Sequence, residues 1–298
     1  MQYDVVIVGG SFAGLAAALY LGRARRSVCV LDTRQPRNRF AAASHGFFAQ
    51  DGSDPGMLLA TMRQQISAYP TVTFIDEAAV EVSGQSGGFE VALSGGSTVP
   101  GARLLLAFGI SDLLPDIPGI AERWGQSVLH CPYCHGYEVS GRRLGVLNLS
   151  PSSLQQALLV SDWGPTTFYA NGANLDGLSV DQLLRRGIEI EADPVAALVG
   201  EPGALTAIRF ADGRSHPMEA LFISPRNRLN SDLAGQIGCD IQDGPLGKII
   251  TVDDLNRTTV QGVFAAGDIT RVAQNISFAC ADGVMAAMAC HRSLILEG

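Results

Sequence analysis

The chain of 298 residues is 47% hydrophobic and 17% charged, which is typical of a folded protein and excludes a disordered or collagen-like one. Its length is sufficient for two domains with a large buried core. The formal net charge of −8 argues against nonspecific nucleic-acid binding, because such binding needs a basic surface.

The chain begins Met1-Gln2-Tyr3-Asp4 and leads directly into an apolar strand, without the basic and apolar regions of a signal peptide. No apolar run approaches the length of a membrane span. We therefore expect a cytoplasmic protein that does not bind a membrane. In a reducing compartment, scattered cysteines are usually inert, whereas a close pair is redox-active or binds metal.

A strand, a glycine-rich turn, a helix and a second strand are predicted in succession near the N-terminus. The turn reads Gly9-Gly10-Ser11-Phe12-Ala13-Gly14, and Asp32 ends the second strand. The glycines allow a tight turn and a close approach to a pyrophosphate at the helix N-terminus, where free N–H groups favour anions. Asp32 is placed to accept hydrogen bonds from a ribose. Ser11 replaces the second glycine of the dinucleotide fingerprint, and a packing turn without a ligand is the alternative.

The loop after this unit contains two features, and for each a functional role and a purely structural role explain the residues equally well. Arg37 and Arg39 could contact the adenosine or pyrophosphate of a dinucleotide, or could lie in a solvated loop. His45 could act as an acid or a base, or could belong to a turn beside core aromatic residues.

The middle of the chain contains the close cysteine pair, in the run Cys131-Pro132-Tyr133-Cys134-His135-Gly136. This spacing lets a disulfide close over one turn and lowers the pKa of one thiol. His135 adjoins the second cysteine and could carry a proton to a departing thiolate. A zinc site would need further ligands at close spacing, and inert core cysteines are a second alternative. The pattern favours a redox-active disulfide and no bound metal.

Near the C-terminus, an apolar strand at residues 263–266 ends at Gly267-Asp268, and an Ala-rich helix is predicted from Asn275 and Ile276 to Met288. An aspartate in this position can hold a sugar hydroxyl, while the helix dipole faces a negative charge. For a flavin, these groups would be the ribityl chain and the N1–C2=O edge of the ring. A turn with an aspartate cap is the alternative.

Together, the two ends of the chain resemble the FAD domain of flavoproteins with two dinucleotide-binding domains. Residues 104–109 resemble that family's strand ending in Ala-Thr-Gly, with Phe108 in place of Thr and Gly109 retained. The Cys-x-x-Cys pair that follows resembles the low-molecular-weight thioredoxin reductases. The run from Cys131 to Glu138 looks more like the dithiol oxidases that close disulfides in small natural products.

The resemblance implies an α/β fold with two Rossmann-like, three-layer nucleotide-binding domains, the second inserted into the first. The FAD domain would comprise residues 1–115 and 225–298, and the central domain, residues 116–224, would carry the cysteines. Cys134 would face the flavin and Cys131 would react with the substrate, while His135 replaces the aspartate of the reductases. A homodimer is expected from the family. FAD would be bound by Gly9, Ser11, Gly14, Asp32, Arg39, Gly109, Gly267, Asp268, Asn275 and Ile276.

The family's NADPH signature is missing from the central domain. After the predicted strand at residues 144–147, the family has a Gly-x-Gly-x-x-Ala or Gly turn, whereas this chain reads Asn148-Leu149-Ser150-Pro151-Ser152-Ser153. Side chains stand where a pyrophosphate would approach, and Pro151 lacks an N–H donor. The predicted strand at residues 166–170 is followed by no arginine that could bind a 2′-phosphate. We therefore predict that NADPH is not an efficient electron donor.

These features predict an FAD-dependent thiol–disulfide oxidoreductase whose partner is a dithiol or disulfide, either a small molecule or a thioredoxin-like protein. Electrons would pass from a dithiol through the disulfide and FAD to oxygen, or from a protein donor or a second flavin in the reductase direction. An NADPH-dependent thioredoxin reductase and a flavin-binding redox sensor without turnover are the alternatives.

Overall fold

The structure is a computed structural model that describes residues 2–297 and divides into two compact units. Unit 1 consists of Met1–Arg39, Gly56–Ser111 and Asn227–Gly298, and unit 2 consists of Phe40–Pro55 and Asp112–Arg226. The domain boundaries predicted from the sequence differ from these units chiefly at residues 40–55, which belong to unit 2.

Within the described residues, helices and strands alternate along much of the chain. The helices are α1 (Phe12–Arg23), α2 (Pro55–Ile66), α3 (Pro132–His135), α4 (Ser152–Val160), α5 (Gly177–Arg185), α6 (Leu233–Gln236) and α7 (Ile276–Leu296). The strands are β1 (Tyr3–Val8), β2 (Val28–Leu31), β3 (Val72–Ile75), β4 (Ala79–Gln85), β5 (Gly88–Leu93), β6 (Thr98–Leu106), β7 (Ile110–Leu113), β8 (Val128–Leu129), β9 (Leu144–Leu147), β10 (Thr166–Tyr169), β11 (Glu189–Glu191), β12 (Val195–Val199), β13 (Ala207–Phe210), β14 (Ser215–Pro217), β15 (Ala220–Ile223), β16 (Arg226–Leu229), β17 (Ile241–Asp243), β18 (Lys248–Ile250) and β19 (Val263–Ala265).

The main sheet of unit 1 has the strand order β3-β2-β1-β6-β5-β4, and β19 also pairs with β6. The pairs β3–β2, β2–β1, β1–β6 and β6–β19 are parallel, whereas β6–β5 and β5–β4 are antiparallel. Side chains alternate across the sheet. Val5 and Ile7 therefore pack in the core that contains α1 and α7, and Val6 and Val8 pack in the core on the opposite face.

Unit 2 contains a parallel sheet with the order β11-β10-β9-β15-β8. On one face, Phe168 and Phe222 pack with apolar residues of α4 and α5. On the other face, Tyr169 and Leu221 pack with residues of the antiparallel sheet β12-β13-β14. The predicted fold class, two Rossmann-like three-layer α/β domains, is confirmed.

The last helix is longer than the sequence analysis predicts, because α7 continues past Met288 to Leu296. By length and composition alone it could cross a membrane, so the expectation that no run reaches that length was wrong. A core helix passes the same test, and 39% of the apolar window of α7 is buried in the structure. Ala286, Ala287 and Cys290 are buried in the core that α7 shares with α1.

Candidate functional site

The turn between β1 and α1 is built around backbone contacts that only glycine permits. Gly9 has a φ of +111°, and a Cβ atom there would lie 2.2 Å from the Ala107 carbonyl oxygen. A Cβ atom on Gly14 would lie 1.8 Å from the Gly9 carbonyl oxygen. Ser11 is the N-cap of α1, but its side chain makes no capping hydrogen bond. The helix start therefore keeps N–H groups that can bind a phosphate.

Asp32 follows β2 and is held by two neighbouring groups. Its Oδ1 accepts a hydrogen bond from the Arg34 backbone N–H at 3.1 Å, and its Oδ2 lies 3.5 Å from Arg63 Nη1. The Arg63 guanidinium lies over the Phe74 ring and also donates to Asp76 at 2.6 Å. Arg63 comes from α2, and no sequence signal connects it to Asp32.

An arginine of the N-terminal segment joins the glycine-aspartate motif near the C-terminus. Arg37 Nη1 donates to Asp268 Oδ2 at 3.1 Å and to Gln274 Oε1 at 2.6 Å. Arg39 donates to the Pro36 carbonyl at 2.9 Å, and its contact with FAD stays a prediction. Arg37 therefore links the N-terminal segment to the glycine-aspartate motif.

The strands β1, β6 and β19 end side by side. The Ala107 N–H donates to the Val8 carbonyl at 2.7 Å, and the Ala266 N–H donates to the Leu106 carbonyl at 2.9 Å. Because the strands are parallel, the segments that follow them lie at one edge of the sheet. Asn275 caps the helix that begins at Ile276 by accepting from the Phe278 N–H at 2.7 Å.

This edge of unit 1 brings together the predicted cofactor residues. They are Gly9, Ser11, Gly14, Asp32, Gly109, Gly267, Asp268, Asn275 and Ile276. Two glycines with no room for a Cβ atom, an uncapped helix start and an oriented carboxylate fit a dinucleotide such as FAD. The role of each residue in FAD binding stays a prediction.

In unit 2, Cys131 and Cys134 are joined by a disulfide with a Cα–Cα distance of 5.3 Å. Both are half-buried, and Cys131 caps the short helix α3, since its Sγ accepts from the Cys134 N–H at 3.2 Å. The ring of Trp163 packs on this turn at Gly136, where a Cβ atom would lie 2.7 Å from the ring. Within residues 2–297, no group of three or more His, Cys, Asp or Glu side chains could hold a metal ion.

The side-chain amide of Gln156 joins the ends of β8 and β15 by hydrogen bonds. Gln156 Nε2 donates to the His130 carbonyl at 2.6 Å and to the Ile223 carbonyl at 3.3 Å. His130 Nδ1 lies 3.1 Å from the same Ile223 oxygen, so it donates and carries the ring proton. These bonds anchor the residue immediately before Cys131.

His135 is half-buried, and burial lowers the pKa of its imidazole, which the nearby His45 and His130 lower further. The carboxylate of Glu138 opposes this shift and raises the pKa. His135 is therefore a neutral base at neutral pH. His45 itself lies in unit 2, with its Nε2 atom 3.5 Å from Glu138 Oε1.

In the turn after β9, the Ser153 side chain takes the backbone hydrogen bonds that a ligand would otherwise accept. Ser153 is completely buried, and its Oγ accepts hydrogen bonds from the N–H groups of Leu149 and Ser150 at 3.1 and 3.2 Å. These are donors that a bound pyrophosphate would use. Sequence analysis identified the missing glycines but missed this hydroxyl, which a serine in the first turn of a helix could have suggested. The residues present do not fit a pyrophosphate.

Carboxylates occupy the end of β10, where a 2′-phosphate would need a cation. The N–H of Ala170 donates to the Glu191 carbonyl at 2.8 Å, which places β11 directly beside this strand end. Arg214 pairs with Glu191 at 3.2 Å, with Asp212 at 2.5 Å and with Asp193. Three carboxylates surround one arginine, so the local charge opposes a phosphate.

Comparison with known proteins gives matches along the whole chain. The family model described as pyridine nucleotide-disulphide oxidoreductase matches residues 3–147. The chain is 31% identical to thioredoxin reductase tcpT of Claviceps purpurea (strain 20.1), over 99% of this chain and 95% of that protein. It is 29% identical to thioredoxin reductase sirT of Leptosphaeria maculans, over 95% of this chain and 92% of that protein. The crystal structure of the oxidoreductase from Agrobacterium tumefaciens is 42% identical, with a TM-score of 0.96 and complete coverage of both chains.

Proposed function

The chain belongs to the family of thioredoxin-reductase-like FAD disulfide oxidoreductases, and we propose that it exchanges electrons between FAD and a dithiol or disulfide substrate without efficient use of NADPH. The observation that carries this proposal is that the Ser153 hydroxyl accepts hydrogen bonds from the N–H groups of Leu149 and Ser150. A nicotinamide dinucleotide would need these two donors for its pyrophosphate. The carboxylates around Arg214 add a charge that opposes the 2′-phosphate. Oxidation of a dithiol by oxygen is the favoured direction, because it needs no nucleotide site in unit 2.

The turn that contains Cys131 and Cys134 carries out the thiol–disulfide exchange with the substrate. A substrate thiolate attacks Cys131 Sγ, the Cys131–Cys134 bond breaks, and Cys134 leaves as a thiolate. The second substrate thiolate then attacks the mixed disulfide and displaces Cys131, so the substrate gains a disulfide and the enzyme gains two thiols. His135 accepts a proton from the substrate thiol during this exchange.

A bound FAD supplies two-electron redox chemistry, with oxygen as the proposed final acceptor and hydrogen peroxide as its product. The residues proposed to hold it are the nine at the edge of unit 1 together with Arg39. The assignment of Cys131 to the substrate and Cys134 to the flavin rests on the family resemblance.

Anaerobic mixing of the purified flavoprotein with dithiothreitol, and separately with NADPH, tests this function. We expect the dithiol to bleach the flavin and admitted air to restore it, with NADPH at least about 100-fold slower, because each lost charge-assisted phosphate bond costs about 1.5–3 kcal/mol. Stopped-flow absorbance measures both rates, and photoreduction provides a control that the flavin is reducible. Fast bleaching by NADPH would contradict the proposal and restore an ordinary NADPH-dependent reductase. Bleaching by neither reagent would favour a protein donor or a second flavin.

We also propose that the protein is a homodimer that packs through the exposed face of α7. Apolar residues on this face recur at the heptad spacing typical of helix pairs. The face consists of the apolar residues Phe278, Ala281, Met285, Met288 and Ile295 and the charged residue Arg292, all exposed. A twofold axis between Met285 and Met288 would place Phe278 opposite Ile295 of the partner subunit, so the face is complementary to itself. The antiparallel arrangement also places Glu297 at the positive end of the partner's helix.

Replacing both Met285 and Met288 by glutamate is expected to produce a monomer. Four glutamates in the centre of the interface, two from each subunit, should raise the dissociation constant at least about 100-fold, since central interface residues contribute about 2 kcal/mol each. Light scattering after size-exclusion chromatography measures the mass. Leu178→Glu, on an exposed position of α5, is the control and should leave the mass unchanged. A dimeric double variant would exclude this interface.

A further inference from the structure

Two tyrosines beside the disulfide expose their rings to solvent. Tyr133, which lies between Cys131 and Cys134, is 72% exposed, and Tyr137, about one turn further along the chain, is 84% exposed. Large aromatic side chains normally bury most of their area, because the removal of apolar surface from water is favourable. The proposed thiol–disulfide exchange involves neither ring, so another role must account for their exposure.

Trp163, which follows α4, holds this turn and one of the tyrosines in place. Its indole ring packs against Gly136, where a Cβ atom would come within 2.7 Å of the ring. Its carbonyl oxygen accepts hydrogen bonds from the Gly141 N–H at 2.7 Å and from Ser140 Oγ at 3.2 Å. The rings of Tyr133 and Trp163 meet edge to face, with their centroids 5.9 Å apart and an angle of 85° between their planes. The Tyr133 ring is therefore fixed by packing on one side and open to solvent over most of its area.

Together, Tyr133, Tyr137 and Trp163 form an aromatic surface that a substrate of the disulfide must meet. A thiolate that attacks Cys131 Sγ forms an S–S bond of about 2 Å, so the rest of the substrate lies beside this turn. The exposed area of the three rings is roughly 400 Å². A protein partner covers about 800 Å² on each side of a stable interface. The aromatic surface is therefore large enough for a small ring system and, by itself, too small for a stable protein interface.

We propose that the aromatic surface binds a flat apolar ring of a small dithiol substrate and so determines which dithiols react with Cys131. This inference rests on the proposed thiol–disulfide exchange and deepens it by naming the class of substrate. Aromatic rings that stack with an offset or meet edge to face are stabilised beyond their area of contact. The packed rings of Tyr133 and Trp163 have little conformational freedom left to lose on binding, which favours such a contact. The substrate becomes a cyclic disulfide, and the two hydrogens of its thiols pass to Cys131 and Cys134.

Two dithiols with the same spacing between their thiols test this proposal. Dithiothreitol and 1,2-benzenedimethanethiol both close a six-membered cyclic disulfide, but only the second carries an aromatic ring. Rapid quenching with an alkylating reagent under anaerobic conditions measures the opening of the Cys131–Cys134 disulfide and does not depend on flavin reduction. Each rate is divided by the rate of the same dithiol with oxidised glutathione, which corrects for thiol reactivity. We expect the corrected rate of the ring dithiol to be at least about tenfold higher, because the buried ring contributes about this factor.

Tyr133→Ala should reduce this preference for the ring dithiol at least about fivefold, whereas Tyr133→Phe keeps the ring and should retain the preference. A substitution that merely distorted the disulfide turn would slow both dithiols alike and leave the ratio of their rates unchanged. Tyr20→Ala is the control, because it removes an exposed tyrosine from α1 in unit 1 and should leave both rates unchanged.

A wild-type ratio near one would overturn the proposal, as would a ratio that Tyr133→Ala and Tyr137→Ala both leave unchanged. Variants that slow the reaction with a reduced thioredoxin-like protein, but not with the ring dithiol, would overturn it in favour of a protein partner. A wild-type disulfide that both dithiols open without bleaching the flavin would instead overturn the proposed function and leave the preference measurable.

Discussion

Replacing Cys134 with serine should leave FAD bound but slow flavin reduction by dithiols on the order of 1,000-fold or more, as is typical when a reacting nucleophile is removed. A serine hydroxyl cannot form the disulfide through which the electrons are proposed to pass. Stopped-flow absorbance measures the rate, and the visible spectrum measures the flavin content. Cys239→Ser is the matched control, because burial raises the pKa of that thiol and makes it a poor nucleophile. Normal reduction of Cys134→Ser would exclude the disulfide from the electron path.

The same experiment with Cys131→Ser distinguishes an enzyme from a disulfide that only stabilises the fold. The closed loop spans three positions in sequence, and loop-closure entropy predicts a stabilisation of only about 2 kcal/mol for so short a loop. An enzyme would lose turnover while its free energy of unfolding falls by no more than this amount. A larger loss of stability with unchanged turnover would support a structural or sensor role.

Gly14→Ala should abolish FAD binding and lower the free energy of unfolding of unit 1 by about 2 kcal/mol or more. The added methyl group would lie 1.8 Å from the Gly9 carbonyl oxygen, and backbone cannot rotate away as a side chain can. The turn would have to open and displace the N–H groups at the start of α1. Flavin content per protein and a urea titration measure the two effects.

Gly235→Ala is the matched control for this change. Gly235 lies in α6, and a Cβ atom there would meet nothing within 4 Å. Its replacement should leave the flavin bound and stabilise the protein by about 0.5 kcal/mol, because alanine has less freedom than glycine in the unfolded chain. If Gly14→Ala retained full flavin content, the turn between β1 and α1 would not be the pyrophosphate site.

Local patterns in the sequence were enough to predict the position of both motifs in unit 1, and the family resemblance of these motifs implied the fold class. The apolar run at residues 3–8 forms β1, and the helix predicted after the glycine turn is α1, which begins at Phe12, inside that turn. Strand periodicity and glycine geometry act over a few residues, so they can be read without knowledge of the rest of the chain. The length of α7 was underestimated, because the residues after Met288 continue the helix.

The sequence by itself determined the paired cysteines, the histidine beside them, the glycines at a phosphate turn and the absence of those glycines from the second turn. The tertiary structure alone decided which distant groups meet: Arg63 with Asp32, Arg37 with Asp268, and His45 with Glu138. It also decided that Ser153 closes the second turn. The physical reason is that spacing along the chain fixes contacts within one helix, strand or turn. Contacts between loops instead depend on where the packed sheets and helices carry them.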